Sequence, residues 1–246
     1  PRPPPGAFEL LAADVGQGNA VLLRTAHHTL LYDAGPRYSP ESDAGHRVLV
    51  PLLSQSNEPL DMLMLSHRDS DHTGGAAAVL AMQPQAQLWS SLEATHPLAQ
   101  RPEHVRCQAG QRWAWDGVQF EVLHPLAQST APKPNALSCV LRVQGAGASA
   151  LLAGDIEAAQ EHELLARGLS PVDLLLVPHH GSKTSSSAAF LDALQPRLAL
   201  AQAGYRNRFG HPAPAVVQRY QERGVHWFQS SHCGAALWRS DEPDLL

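Results

Sequence analysis

The stretch MLMLSHRDSDHTGG, residues 62–75, decides how the rest of the chain is read. Four apolar residues run directly into a polar segment, and a glycine pair follows. A continuous apolar run bounded by turn residues predicts a strand buried on both faces, here over 61–66. Immediately beyond it stand His67, Asp69, Asp71 and His72. Alternate residues of a chain leaving a strand point the same way, which lets such side chains converge. Imidazole and carboxylate together suit zinc, manganese or iron. Gly74 and Gly75 permit a tight turn into a helix, which AAAVLAM (76–82) predicts. A polar loop with an ordinary Asp or Ser helix cap would call for neither histidine.

The flanking sequence places this strand in a layered fold. FELLAAD (8–14), AVLLRT (20–25) and HTLLYD (28–33) read as an antiparallel meander, with VGQGN as its first turn. A helix is expected over 45–55, weakened by Pro51. Short strands are expected at 86–89, 104–107, 111–115, 118–123, 138–144 and 149–153, with a proline-containing loop at 124–136. DIEAAQEHELLARG predicts a helix ending at Gly168, and VDLLLVP (172–178) a second strand buried on both faces. A helix at 185–194, a strand at 197–201, a helix at 213–223 and strands at 225–229 and 235–239 follow. Strands, then alternating strand and helix, then the scheme again, give an α/β layered protein of two mixed sheets with outer helices.

The chain has 246 residues, 43% of them apolar and 17% charged, as in ordinary globular domains. No apolar run approaches the ~20 residues of a membrane span. Residues 1–6, PRPPPG, read as a stiff linker ahead of one domain at 7–246. A formal charge of −5 gives no global attraction to nucleic acid, so such contact needs a local basic patch. Arg68, Lys133, Lys183, Arg206 and Arg208, all inside motif loops, would supply one. Cys107, Cys139 and Cys233 have no metal-type pairing and read as core residues or spare thiols.

The ligand motif resembles the His-x-His-x-Asp-His pattern of the metallo-β-lactamase fold, with Asp69 in place of the second histidine. LLYDAG, LLAGDIE and LLLVPHHGS look like that fold's other motifs, which implies an αββα sandwich. Taken in order, DVGQGNA, SHRDSDHTGG, GDIE, HHGSKTS and NRFGHP resemble the C-terminal domain of ComEC proteins, the inner-membrane channels of DNA uptake in natural competence.

That resemblance implies a metal-dependent deoxyribonuclease with two divalent ions, Mn²⁺ or Zn²⁺, acting on the single strand that is not imported. His67, Asp69, Asp155 and one further group would hold one ion. Asp71, His72, Asp155 and His179 would hold the other. Asp69 makes the site harder, which shifts preference toward manganese. The further group is either His124 or the pair Asn135 and Ser138. Asp33 would orient a ligand histidine, and Asp71 would also relay protons. Of two adjacent histidines, His179 is taken as the ligand and His180 as a substrate contact or loop anchor. His211 would orient substrate or bind metal. Gln17 lies in a Gly-x-Gly loop suited to anions, and Ser182, Lys183 and Arg208 suit phosphate oxygens. Lys183 would steady the departing oxygen. Tyr38, Tyr205 and Phe209 are candidates for base stacking.

The remainder of a membrane channel protein is the implied partner, with this segment a monomeric extracytoplasmic (periplasmic) domain. The competing readings are a lactonase, thioesterase or small phosphodiesterase of the same fold, and a non-catalytic module that binds or gates DNA.

Overall fold

The structure is a computed structural model and describes residues 1–131 and 133–244. The first half of the chain forms β1 (Glu9–Ala12), β2 (Val21–Arg24), β3 (Thr29–Tyr32), β4 (Arg37–Ser39), β5 (Ser42–Asp43), β6 (Met62–Leu65), β7 (Gln87–Ser90) and β8 (Val105–Arg106). The second half forms β9 (Arg112–Trp115), β10 (Val118–His124), β11 (Val140–Gln144), β12 (Ser149–Leu152), β13 (Leu174–Leu176), β14 (Leu198–Ala201), β15 (His226–Gln229) and β16 (Ala236–Arg239). Two seven-stranded sheets result, in the orders β16-β1-β2-β3-β6-β7-β8 and β15-β14-β13-β12-β11-β10-β9. In each sheet an antiparallel half meets a parallel half, at β3/β6 and at β12/β13. The hairpin β4–β5 stands apart as a small ribbon and carried no sequence signal.

The apolar runs are explained by what covers each face. Leu30, Tyr32, Met62 and Met64 point between the sheets, where they meet Phe120, Leu141, Leu152, Leu174 and Leu200. Leu31, Leu63 and Leu65 point the other way, against α1 (Val50–Ser56) and α3 (Ala76–Met82). The second sheet repeats this arrangement. Leu151, Leu175 and Ala199 pack under α4 (Ala158–Ala166), α5 (Ala188–Leu194) and α6 (Pro214–Gln221) through Leu164, Phe190, Leu191, Val216 and Tyr220. Truncating one of these fully buried side chains to alanine would cost about 2–5 kcal/mol. The layers are therefore α, β, β, α, as the motifs implied. Pro51 lies in the first turn of α1, where a missing N–H is harmless.

Residues 1–6 lie against the domain, and one expectation, about the cysteines, is corrected. Arg2 donates to Glu58 Oε1 at 2.8 Å, to the His28 carbonyl at 2.8 Å and to Thr29 Oγ1 at 2.8 Å, and Pro3 is buried. The cysteines are not all free. Cys107, just after β8, and Cys139, just before β11, form a buried disulfide that joins an edge of one sheet to the other, while Cys233 is free and exposed. Among the described residues no helix is long and apolar enough to cross a membrane.

Candidate metal centre

The chain leaves β6 at Leu65 and delivers Ser66 to Asp69 at one end of the two sheets, where α2 (Ser70–Thr73) begins. Three other loops arrive at the same end. Asp33 follows β3, Asp155 follows β12, and His179 and His180 follow β13. Two of these three loops turn through backbone conformations that L-residues seldom adopt: Asp33 has φ 59°, and His179 and His180 have φ 51° and 52°. Such strain persists only where surrounding contacts enforce it, and it concentrates at functional sites.

Asp71, His72, Asp155 and His180 each present one ligand atom, all within 4.8 Å of one another. His72 Nε2 lies 3.2 Å from Asp155 Oδ1 and 3.2 Å from His180 Nε2. His180 Nε2 lies 3.3 Å from Asp71 Oδ2 and 3.5 Å from Asp155 Oδ2. A second group adjoins it through the same carboxylate. His67 Nε2 is 3.5 Å from Asp69 Oδ2 and 3.9 Å from Asp155 Oδ2, and His179 Nε2 is 3.7 Å from Asp155 Oδ2.

Each buried imidazole is fixed by its other nitrogen. His72 Nδ1 donates to Asp33 Oδ2 at 2.7 Å, His180 Nδ1 to the Gln202 carbonyl at 2.8 Å, and His67 Nδ1 faces Ser66 Oγ at 2.9 Å. Their Nε2 lone pairs are thereby aimed inward, the arrangement that metal-binding histidines use. His67 Nε2 and Asp155 Oδ1 are buried and lack any hydrogen-bond partner. A divalent cation between these atoms would satisfy both, so the donor set fits a metal.

The electrostatics agree. Burial opposes charge on Asp155, yet His72, His180 and His67 hold its carboxyl well below the usual range. Burial likewise opposes charge on His72, but Asp155, Asp33 and Asp71 hold it well above an ordinary imidazole. Burial and the neighbouring His179 and His180 bring His211 down to about 4.

The structure brings some of the expected residues together and sets others apart. His180, not His179, enters the tight group, because the left-handed turn points the two rings apart. His179 instead faces Asn135 Nδ2 at 3.3 Å and Glu157 Oε1 at 3.5 Å. His124 is not at the centre. It is buried beneath it, donating Nδ1 to the Ser138 carbonyl at 2.8 Å with Nε2 facing Glu163 at 3.8 Å. Ser138 does reach the centre, since its Oγ accepts from the Asp155 N–H at 3.1 Å. Ser182 is tied within its own turn to Thr184, and Arg68 is paired with Glu93 at 2.6 Å. Lys183 is exposed three residues past His180. His211 lies over the histidine pair, its ring 5.4 Å from that of His179.

Sequence reading missed Gln202. Its carbonyl orients His180, and its amide bonds Ala13 and Ala20 at both ends of the Gly-x-Gly loop. A glutamine acting through its carbonyl leaves no pattern. Ser66, adjacent to the ligand motif, was equally unmarked, although it bridges Asp33 and His67.

The pattern of the metallo-beta-lactamase superfamily matches residues 13–204. The chain is 38% identical over 225 residues to competence protein ComA of Neisseria gonorrhoeae, which covers 90% of this chain and 31% of that protein. It is 37% identical over 208 residues to recombination protein 2 of Haemophilus influenzae, covering 84% of this chain and 25% of that protein. An Escherichia coli protein, YcaI, is 37% identical over 95% of this chain and 30% of its own length. The chain thus spans about a third or less of these relatives. In fold it is similar to the metallo-beta-lactamase fold protein YhfI of Bacillus subtilis, with a TM-score of 0.60 and 12% identity over 95% of this chain and 99% of that one. CmlA, a diiron β-hydroxylase of Streptomyces venezuelae, superposes with a TM-score of 0.62 and 15% identity over 97% of this chain and 54% of its own. Two paired mixed sheets, ligand loops converging at one end, and a match over most of the length lead to one conclusion: the chain belongs to the metallo-β-lactamase superfamily.

Proposed function

We propose that the chain hydrolyses phosphodiester bonds in single-stranded DNA, using two divalent cations. The observation that carries this reading is the position of Asp155, one carboxylate between two sets of imidazoles. Asp71, His72, Asp155 and His180 would hold one ion. His67, Asp69 and Asp155 would hold the other, with His179 and Asn135 beside them. Paired divalent ions activate water and neutralise charge on an attacked phosphate. Asp69 supplies oxygen where a further imidazole would be softer, which favours manganese over zinc.

The chain's own groups do the rest. Asp33 and the Gln202 carbonyl hold the tautomers of His72 and His180. His211, brought down to about 4 by burial and by His179 and His180, would act as a neutral hydrogen-bonding group beside the centre, and its buried Nδ1 has no partner. Lys183 and Arg208, both exposed, contribute positive charge to a surface that is otherwise acidic overall.

Relatives described as competence and recombination proteins support DNA as the substrate, and the strand left behind during uptake is the one the proposal assigns. The chain's span of a third or less of those relatives supports a role as one domain of a larger protein, which we propose to be a membrane channel with this domain on its extracytoplasmic side. The buried Cys107–Cys139 bridge is consistent with that side, since disulfides form and persist in oxidising compartments.

The test is to strip the protein with chelator, restore Mn²⁺ or Zn²⁺, and follow a labelled single-stranded oligonucleotide on a gel. Metal-restored cleavage that is lost in Asp155→Ala is expected. Binding without cleavage under either metal would instead indicate a DNA-binding or gating module. Turnover of thioesters or lactones with no action on DNA would indicate a small-molecule hydrolase.

A further inference from the structure

A cavity of about 580 Å³ opens directly beside the centre, with Asp69 and Asp71 on its inner side. That volume is in the range of small-ligand sites. Its outer walls are of a different chemistry. Tyr38 and Phe209 stand on opposite loops, β4 and the segment after β14, and are 43% and 53% exposed. Large aromatic side chains this open beside a polar centre offer surface to a ligand with a flat apolar face.

Both rings are held in place. The Tyr38 hydroxyl donates to the Val15 carbonyl at 3.0 Å. Phe209 stacks on His211 with centroids 5.7 Å apart and planes 24° apart. Its loop is braced internally, with Asn207 Nδ2 donating to the Gly204 carbonyl at 2.9 Å. Each ring also carries a guanidinium: Arg47 lies 5.7 Å from the Tyr38 centroid and Arg208 4.8 Å from that of Phe209. Tyr205, 69% exposed on the same loop, repeats the pairing with Arg206 at 5.3 Å. On the cavity wall, Gln17 uses its Oε1 to accept from the Gly204 N–H, which leaves its Nε2 buried with no partner.

We propose that this cavity is a nucleotide subsite. It takes one unpaired base against Tyr38 and Phe209, while Arg208 and Gln17 take the adjoining phosphate, one position along the strand from the bond at the centre. Aromatic rings interleaved with cations along a groove are the means by which proteins bind single strands without sequence preference. A base held in a duplex cannot enter, so the subsite makes the chain selective for single strands and indifferent to sequence. The proposal deepens the phosphodiesterase reading and rests on it for the position of the scissile bond.

The test is fluorescence anisotropy on the metal-free 246-residue chain, with labelled dT12 and a strand of the same length made of tetrahydrofuran abasic units. Wild type should bind dT12 about tenfold or more tightly than the abasic strand. In the double variant Tyr38→Ala, Phe209→Ala that preference should fall to near unity with the circular dichroism spectrum unchanged. Equal binding of the two strands by wild type, which needs no variant, overturns the subsite. So does a preference that survives in the folded double variant. The reaction is judged separately, by adding Mn²⁺ and following both strands on a gel. Cleavage of both with equal affinity would leave the phosphodiesterase and remove the subsite. Selective binding of dT12 with no cleavage would leave the subsite and remove the reaction.

Discussion

His72 Nε2 and His180 Nε2 face each other across 3.2 Å, and in each ring the other nitrogen is already committed, to Asp33 and to the Gln202 carbonyl. With the other nitrogens committed, the two inward Nε2 atoms can only share a proton or bind a cation together. His180→Ala should therefore weaken Mn²⁺ or Zn²⁺ binding by more than the roughly 10–100-fold typical of outer positions. His179→Ala should leave that ion in place. Isothermal titration of both variants decides it, and a larger loss in His179→Ala would restore His179 as the ligand.

Among the described residues, Asp155 is the one carboxylate within 4.0 Å of all four of His67, His72, His179 and His180. Asp155→Ala should lower the number of ions bound per chain and abolish hydrolysis, while the unfolding transition of the metal-free protein stays cooperative. Metal counting by mass spectrometry alongside the oligonucleotide assay checks both. Metal-dependent cleavage retained in this variant would sink the shared-carboxylate assignment.

Asp33 touches no ion site directly, but its Oδ1 accepts from the Ser66 N–H at 2.6 Å and its Oδ2 from His72. Asp33→Asn keeps the left-handed backbone tolerable and weakens the hold on the imidazole. The expected result is a 10–100-fold loss of metal affinity, with little change in a far-ultraviolet circular dichroism spectrum. Unchanged affinity would mean that Asp33 serves only to anchor Ser66.

The Cys107–Cys139 bridge closes a sequence separation of 32 residues. Loops of that size give a stabilisation of about 2–4 kcal/mol. Urea unfolding with and without dithiothreitol should show that difference, and Cys107→Ser should reproduce the reduced curve. Coincident curves would indicate that the two thiols stay reduced in solution.

Asp116 joins the two sheets at the end away from the metal loops, accepting from Thr25 Oγ1 at 2.6 Å and from the His27 N–H at 2.8 Å. Burial would raise its carboxyl, but these bonds and those of the His27 and His28 rings bring it below the usual range. A depressed carboxylate stabilises the fold above its unfolded pKa, near 3.9, and that contribution is lost as pH falls through the folded value. The stability gap between wild type and Asp116→Asn should be full at pH 6 and shrink below about pH 4. A gap that is constant from pH 6 to pH 3 would refute the charge as its source.

What could be read from the sequence follows from how locally each feature is encoded. The strands at 61–66 and 172–178 were legible because both faces of each are covered, which leaves an unbroken apolar run. The ligand loops were legible because their polar residues interrupt those runs abruptly. The choice between His179 and His180 was not legible, since it depends on two successive left-handed residues that no local composition announces. His124 looked available as a polar residue at a strand end, but its ring turns inward beneath Ser138. The disulfide pairs cysteines from different sheets, and no spacing rule reaches that far.

Gly18 contributes no polar side chain, yet a Cβ there would come within 2.3 Å of the Asp71 carbonyl and 2.9 Å of Pro36. The Asn19 N–H, next along, donates to that same carbonyl at 3.2 Å. The Gly-x-Gly loop and the ligand loop are thus in backbone contact, and one sets the position of the other. A single added methyl at position 18 would displace Asp71, a proposed metal ligand, without altering any group that chemistry can recognise. Mutational tolerance in this protein should accordingly be lowest at some positions with nothing to donate, accept or ionise.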